Sequence, residues 1–559
     1  MIEILLSWIW IGSCAFVIGH FSLLLLQKIT NESHHFSIDM VLITGFCALT
    51  VYAEIFSLFY KVGLLANLLL LAIVSIVLLT QHTYFKEYFL YIKTNSNLNL
   101  SLILISIVGI FVLLRSNQPI DYTDTYLYHS QAIRWIEEYG IVPGLGNLHT
   151  RFAFNSSFLV LQALFSLKFL FGRSLHSVNG LFTWILLSYS ILSMKAFSEK
   201  KIKISDGLRL TSFFLISYIH NISSPNTDLM SSGMMIYIFI KWLSLYEEKT
   251  KQLTSLPYAI LCILAAWTAS LKVASGAIAF MTIFIAYALI NEKKWKNLLI
   301  YGLCDTLVVI PWIVRNFIIS GYILYPYGAI DIFHVDWKIP NSQASIERII
   351  TTACGRGTYL KGSEVIETTT LGWIPIWFSS QKFIFKALFI LTLLAIFFGI
   401  IIALQNLKRD LEFSFIYATM LVCFLFWFFG APDVRFAISN TTMISILVFG
   451  TIIQKLSLRY IQRYISVIIC FACIALSSRF LWKTITSPNG NILKSIDYEK
   501  IEVQSMEWNG ITMYYPYDGE SLIDYSSFPS CPYLWQLNNI ELRNQTLKNG
   551  FRTKAEHEN

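Results

Sequence analysis

The 559-residue chain is 55% hydrophobic and only 14% charged, with a mean hydropathy of +0.58. A soluble chain carries about 25% charge, so this one holds more interior-type residues than a single soluble core could hide, and lipid must cover part of its surface. The formal net charge of +8 lies largely in short loops, where the positive-inside rule accounts for it, and no Lys/Arg run is long enough for a nucleic-acid patch.

In chain order, Met1–Leu26 is too long for a cleavable signal and lacks its basic start, so it reads as a first membrane span. About 20 apolar residues cross the hydrocarbon core. Runs of that kind predict about 14 transmembrane helices, at 2–26, 38–59, 62–80, 98–115, 176–195, 206–222, 228–246, 256–270, 273–291, 297–319, 383–404, 412–430, 436–454 and 464–481. Five basic loops, Lys195–Lys203, Lys241–Lys251, Asn291–Asn297, Asn406–Glu412 and Lys455–Arg463, alternate correctly and are expected in the cytoplasm. The chain then divides into an N-terminal four-helix transmembrane extension (1–115), an outer loop with an acidic motif and interfacial helices (116–175), transmembrane helices (176–319), a second outer loop (320–382), further transmembrane helices (383–481) and an extracytoplasmic tail (482–559). Residues 156–170 are apolar enough to span, but a crossing there breaks the alternation, so they are expected to form a re-entrant or interfacial helix on the outer side. No internal repeat marks the chain as an inverted-repeat transporter. The nine Cys show no CxxC pair, and most sit in apolar runs as inert thiols, so structural zinc is not expected. The fold class is an all-α polytopic membrane protein.

The polar residues gather at predicted helix ends on one side. The stretch Pro119–His129 (PIDYTDTYLYH) places Asp121 and Asp124 just past a membrane exit. A helix from Thr125 to Tyr139 follows, its apolar stripe (Tyr128, Ala132, Trp135, Ile136, Tyr139) expected to lie flat in the interface, with Arg134, Glu137 and Glu138 facing away. Asp124 is either that helix's cap or one of a carboxylate pair serving as general base or metal ligand. His129 is either a structural hydrogen-bonder or a site residue. In Leu145–Ser157, His149, Arg151 and Asn155 either anchor the interface or line a pocket with the acids. Asp228, in Ser223–Asp228 (SSPNTD), either caps the next helix or contacts a bound headgroup. Lys272, between two spans, either snorkels or contacts phosphate. Arg315, in Pro311–Asn316 (PWIVRN), offers a planar fork for phosphate. Arg435, in Ala431–Phe436 (APDVRF), does the same unless it only pairs with Asp433.

An acidic motif in the first large outer loop, an SPxxD-type turn, a Lys between spans and a PWxxRNxxxSGxxxYP stretch together resemble the GT-C superfamily of multi-spanning glycosyltransferases. The DxxDxYxxHxQAIxW, GNLHxRFxFNSS and PDxRF stretches resemble a bacterial branch of that kind, over about residues 100–450. The resemblance implies a GT-C-like fold in the bacterial inner (plasma) membrane, with the site facing the periplasm or exterior. It implies transfer of a sugar from a polyprenyl-phosphate-linked donor, with membrane lipids as the other partner. The catalytic pair would be Asp121 and Asp124, the phosphate contacts Lys272 and Arg315, with Arg435 a further candidate. A divalent cation (Mg or Mn) held by the two acids is the one cofactor it allows. Two departures stand out: four spans precede the acidic loop where the superfamily usually has one, and the tail from Tyr514 through Tyr533 is this branch's own. Cys531 has only Cys354 as an outer-side partner, which does not support a disulfide. The rival readings are a transporter or lipid flippase, for which Asp305 and Glu54 within spans are the evidence, and a polysaccharide polymerase or ligase.

Overall fold

The computed structural model describes residues 1–95, 99–120, 122–194, 203–218, 221–249, 252–357, 371–455, 497–517 and 521–554, with a few positions between 471 and 486. The helices run in order α1 (Ile2–Thr30), α2 (Ile38–Phe59), α3 (Leu64–Thr80), α4 (His82–Asn95), α5 (Asn99–Ser116), α6 (Ser130–Tyr139), α7 (Leu145–Leu148), α8 (Ser157–Leu164), α9 (Lys168–Phe171) and α10 (Val178–Ser193). They continue as α11 (Ile204–Tyr218), α12 (Thr227–Glu248), α13 (Leu256–Leu271), α14 (Met281–Asn291), α15 (Trp295–Ser320), α16 (Asn341–Gly355), α17 (Trp373–Ser380), α18 (Phe383–Asn406), α19 (Leu411–Phe429) and α20 (Val434–Lys455). Among the described residues eight helices are long and apolar enough to cross a membrane, or nine if the pair Leu64–Thr80 and His82–Tyr88, bent by 77°, is one span. The chain is thus a helical, multi-pass membrane protein. α5, α10, α11 and α13 occupy four more of the predicted positions, but each falls short of a full apolar span. The span expected at 464–481 lies mostly outside the described residues.

The helix faces follow from composition. α12 is buried almost all round, from Thr227 to Leu243, as a helix at the centre of a bundle must be. α15 and α18 instead expose Leu303, Leu307, Leu394 and Phe397, the surface that lipid covers. α1 and α2 cross at glycine: a Cβ on Gly45 would lie 1.9 Å from the Ala15 carbonyl oxygen, and one on Gly19 2.0 Å from that of Val41. Small residues let membrane helices approach this closely. Gly45→Ala is therefore expected to destabilise the protein by about 1–3 kcal/mol through overpacking, read as a lower thermal midpoint in detergent. Gly12→Ala, where a Cβ meets nothing within 4 Å, serves as the neutral comparison.

Among the described residues, the end of α12 and the basic loops Asn291–Asn297 and Asn406–Glu412 meet at one end of the bundle. There the Tyr237 hydroxyl donates to Asp39 (2.8 Å), Trp242 and Tyr258 donate to Glu412 (3.2 and 2.7 Å), Tyr246 donates to Asp410 (2.6 Å), and Asn297 donates to Glu32 (3.2 Å). The acidic loop, the turn before α12, the α13 terminus and the start of α20 meet at the other end.

Two expectations change, and the segment 156–170, expected not to cross, takes a specific form. The segment 156–170 forms only α8, fully buried, then a left-handed turn at Leu167 (φ 50°) and α9; eight residues rise about 12 Å, under half the hydrocarbon thickness. The helix expected from Thr125 to Tyr139 is a π-helical turn, Thr125–His129, continuing into α6. It does not turn Glu137 and Arg134 to solvent, because the tail lies over it. Glu137 is buried and accepts a hydrogen bond from the Tyr525 hydroxyl, Arg134 stacks over Tyr525 (5.0 Å) and Phe528 (5.3 Å), and Gln131 donates to the carbonyls of Asp524 and Ser527 (2.6 and 3.0 Å). Finally, the molecule is not all helix. In the tail, β1 (Val503–Trp508) and β2 (Ile511–Pro516) pair antiparallel around Asn509-Gly510, both at positive φ, as a two-residue hairpin turn requires. After a short helix α21 (Leu534–Asn539), β3 (Ile540–Leu542) pairs with β4 (Phe551–Thr553).

Candidate functional site

Four elements far apart in sequence deliver charge to one place. Asp124 stands at the start of the π turn, with no side-chain capping bond. Asp228 lies in the first turn of α12, but the cap of that helix is Asn226, whose side chain accepts from the Leu229 amide (3.0 Å). The capping roles offered for both acids therefore fail, and the carboxylates are free for other work. Lys272 ends α13 in an extended conformation, at the apex between that helix and the tight helical turn Val273–Phe280. Arg435 opens α20 just after the Pro432-Asp433 turn.

Arg435 is the hub. Its guanidinium lies 3.2 Å from Asp124, 3.8 Å from Asp228 and 3.0 Å from Asp433, and it donates to the Tyr122 hydroxyl (2.8 Å). The Asp433 pairing proposed from sequence is real, but it is one of several. Tyr122 in turn donates to Asp228 (2.6 Å). Lys272 is ion-paired with Asp228 and sits 3.6 Å from the centre of the Phe436 ring. On the far side of Asp124, Arg151 approaches it to 3.8 Å and reaches Glu347 of α16 at 3.6 Å, while Thr150 donates to the same Glu347 (2.9 Å). Asp228 and Glu347 are buried, whereas Arg435 and Asp124 keep 41% and 24% of their side chains exposed. The accessible part of the cluster thus runs from Lys272 and Arg435 with Asp433, through Asp124, to Arg151.

The environment sets protonation. Burial first, then the Asp228 charge, raises the Tyr122 phenol far above its ordinary range, so it stays a donor. Burial pushes His129 down to about 4 and His149 down to about 3, leaving both neutral. Burial works against the Arg151 charge, but Glu347, Tyr128 and Asp124 outweigh it and the group stays firmly protonated. His129 stacks on Tyr122 (6.2 Å, 12°) and His149 packs edge-on against Phe152 and Tyr533. No ring nitrogen of either has a hydrogen-bond partner among the described residues.

Of the residues expected from sequence, the structure brings together Asp124, Arg151, Asp228, Lys272 and Arg435, with His129 and His149 packed beside them. Asp121 lies outside the described residues. Arg315 belongs to a different network: buried in α15, it donates to Asn155 (3.2 Å) and to Ser57 of α2, near Glu54. Its contact with α2 also shows that the N-terminal helices share the core rather than stand apart from it. Tyr122 and Glu347 were not expected. Tyr122 lies inside the acidic motif and could have been read from it; Glu347 is a single acid in a long loop and carries no local signal. Among the described residues no group of three His, Cys, Asp or Glu could hold a metal ion. Asp124 and Asp228 face Arg435, Arg151 and Lys272, while Asp121, the acid expected to share a cation with Asp124, lies outside the described residues. Cys531 is buried and Cys354 exposed, and neither is bonded to another cysteine.

Residues 1–442 match the sequence model of DUF8201, a domain of unknown function. The matched stretch contains every charged residue of the cluster and stops short of the tail. No curated protein and no solved structure matches the chain.

Proposed function

The chain belongs to the DUF8201 family, whose description carries no activity, and from the geometry of the site we propose that it is a membrane glycosyltransferase of GT-C type. In this reading it uses a lipid-phosphate-linked sugar at the outer face of the membrane, with the fourteen-span topology that puts the basic loops in the cytoplasm. The observation that carries the reading is the convergence of Asp124, Asp228, Lys272 and Arg435 at one end of the helices. A transporter needs its polar groups near the bilayer midplane; a transferase acting on a headgroup needs them at the helix ends. An apolar cavity of about 380 Å³, lined by Leu104, Phe111, Leu187, Phe213 and Ile216 among others, suits a lipid chain, and Tyr218, two residues beyond Ile216, is close to Asp433 and Arg435.

Asp124 takes the proton from an acceptor hydroxyl as that oxygen attacks the anomeric carbon. The bond from that carbon to the phosphate oxygen breaks, and the lipid phosphate leaves with the electron pair. Arg435 is exposed enough to turn from Asp433 to the phosphate, while Asp228 keeps Lys272 and Tyr122 in place beside it. Preorganised donors of this kind neutralise the charge that develops on the leaving group, and that is the strongest rate enhancement such a site can supply. Arg315 has no part in it. Asp305, within α15 and with a buried carboxylate oxygen that has no hydrogen-bond partner among the described residues, is the observation that favours the transporter reading instead.

The test is turnover of polyprenyl-phosphate-linked, radiolabelled hexoses and hexosamines by the full chain in lipid nanodiscs. Donor-dependent release or transfer of label is expected. Arg435→Gln should raise donor KM by about tenfold or more, the value of a hydrogen bond to a charged group. No turnover of any donor, with label carried intact across the bilayer of proteoliposomes, overturns the reading in favour of transport.

A further inference from the structure

The tail carries two aromatic rings that nothing in the proposed mechanism uses. Tyr533 and Trp535 are stacked, ring centres 6.0 Å apart and planes within 25° of one another. Trp535 is 56% exposed although it is a large ring on a well-anchored segment. The anchoring is specific: Gln536 donates to the Asn147 carbonyl (2.8 Å), Trp508 donates to the Leu537 carbonyl (3.0 Å), and the backbone amide of Gln536 donates to the Tyr533 carbonyl (2.9 Å). Tyr533 packs edge-on against His149 (5.6 Å) and lies close enough to Arg151 for the two to interact electrostatically. A path therefore runs from the exposed Trp535 face, over Tyr533, to Arg151 and so to Asp124.

We infer that Tyr533 and Trp535 form an aromatic ledge that binds a pyranose ring, and that the acceptor of the reaction is accordingly a saccharide. The second clause rests on the transferase reading; the first does not. The chemistry is that of an amphipathic ring. A pyranose has an apolar face of C–H groups and a rim of hydroxyls, and the exposed Trp535 ring, backed by the stacked Tyr533 ring, offers the first a surface while Arg151, Glu347 and Asp124 offer the second charged partners. Tyr and Trp suit such a position because each joins a large apolar face to a polar tip. A large exposed ring on an anchored segment, backed by a half-buried ring that leads to a polar site, is suited to bind a ligand face. The ledge also lies beyond residue 442, outside the stretch that matches the family. Saccharide preference is thus set by a segment separate from the charged cluster.

The experiment is saturation-transfer NMR with maltotriose and chitotriose on the full chain in nanodiscs, prepared without glycosidic detergent. Saturation of the ring C–H protons of at least one trisaccharide is expected. Trp535→Ala and Tyr533→Ala should each weaken that binding by about tenfold or more, the scale on which removing a stacking aromatic acts. Trp535→Phe should restore most of it, and Trp295→Ala, at an exposed ring on the other end of the bundle, should change nothing. Absence of transfer in the wild type, as an interfacial membrane anchor predicts, overturns the inference, as does binding that survives both alanine variants. Because the readout is binding, neither result depends on whether Asp124 catalyses anything.

Discussion

Asp124→Asn is expected to lower sugar transfer by about a hundredfold or more, the value of a general base, while donor binding and thermal stability stay close to wild type. The substitution keeps the shape of the side chain and one acceptor oxygen for Arg435, which lies 3.2 Å away, while its amide nitrogen falls toward Arg151, an ion-pair partner at 3.8 Å. It removes the capacity to take a proton together with the charge, and at a side chain that keeps 24% of its surface exposed the loss of ion pairing costs little stability. A loss of folding cannot mimic the result through helix capping, since Asp124 makes no capping bond and Asn caps about as well as Asp. Single-turnover rates on nanodisc-embedded protein separate the chemical step from donor binding. Asp228→Asn is the informative comparison. It takes charge away from Lys272 and Arg435 in a buried position, so it should lower stability and donor affinity as well as rate. A transfer rate within a few-fold of wild type for Asp124→Asn, on a donor that the wild type turns over, withdraws the base assignment from this residue.

The helices were easier to read from the sequence than the site, for a physical reason. A membrane-embedded helix must satisfy its backbone internally and cover itself in apolar side chains, so α2, at 38–59, and the helical stretch 273–291 appear in the hydropathy with their observed limits. The same run of hydropathy cannot tell a lipid-facing segment from one buried in protein. Residues 156–170 look like a span because α8 is surrounded by protein on every side. The charged cluster was half visible. Asp124, Asp228, Lys272 and Arg435 each stand where an apolar run ends, and an ionisable group at such a boundary is conspicuous. Glu347 was invisible, since only the folding back of the second large loop sets α16 against Arg151. The tail was the least legible. Its short strands bury few residues and follow no long period, and the contact that matters most for α6, Tyr525 to Glu137, spans 388 residues.

The charged cluster also has a sidedness that the sequence could not disclose. Arg435 gathers Asp124, Asp228 and Asp433 on one side, and Arg151 gathers Asp124 and Glu347 on the other. Asp124 is the carboxylate shared by both cations. In a group-transfer reaction this geometry separates the two substrates: the phosphate belongs on the side of Lys272 and Arg435, and the acceptor on the side of Arg151 and the tail. A base placed between them is where the proton must be taken.

Arg315→Met is expected to destabilise the protein by about 1–3 kcal/mol, the cost of leaving a buried hydrogen-bonding group unsatisfied, with little change in transfer rate per folded molecule. Arg315 is 1% exposed and donates to Asn155 and to Ser57, one turn beyond the buried Glu54. Removing it leaves the buried Asn155 side-chain carbonyl oxygen and the Ser57 hydroxyl short of a donor, and takes a positive charge from the neighbourhood of Glu54, whose carboxylate oxygens have no hydrogen-bond partner among the described residues. Asn155 ends the helical turn Thr150–Phe154 in a left-handed conformation (φ 39°), and that turn carries Arg151, so the substitution loosens the site from below without touching its chemistry. The double variant Arg315→Met with Glu54→Gln separates the two contributions: any stability it recovers measures the charge on Glu54 that Arg315 offsets, and the remainder is the lost hydrogen bonding to Asn155 and Ser57. A phosphate-binding arginine predicts the opposite pattern: donor KM rises and stability holds. Thermal midpoints of the two variants in nanodiscs, read beside donor KM, decide between a residue that braces the site and one that belongs to it.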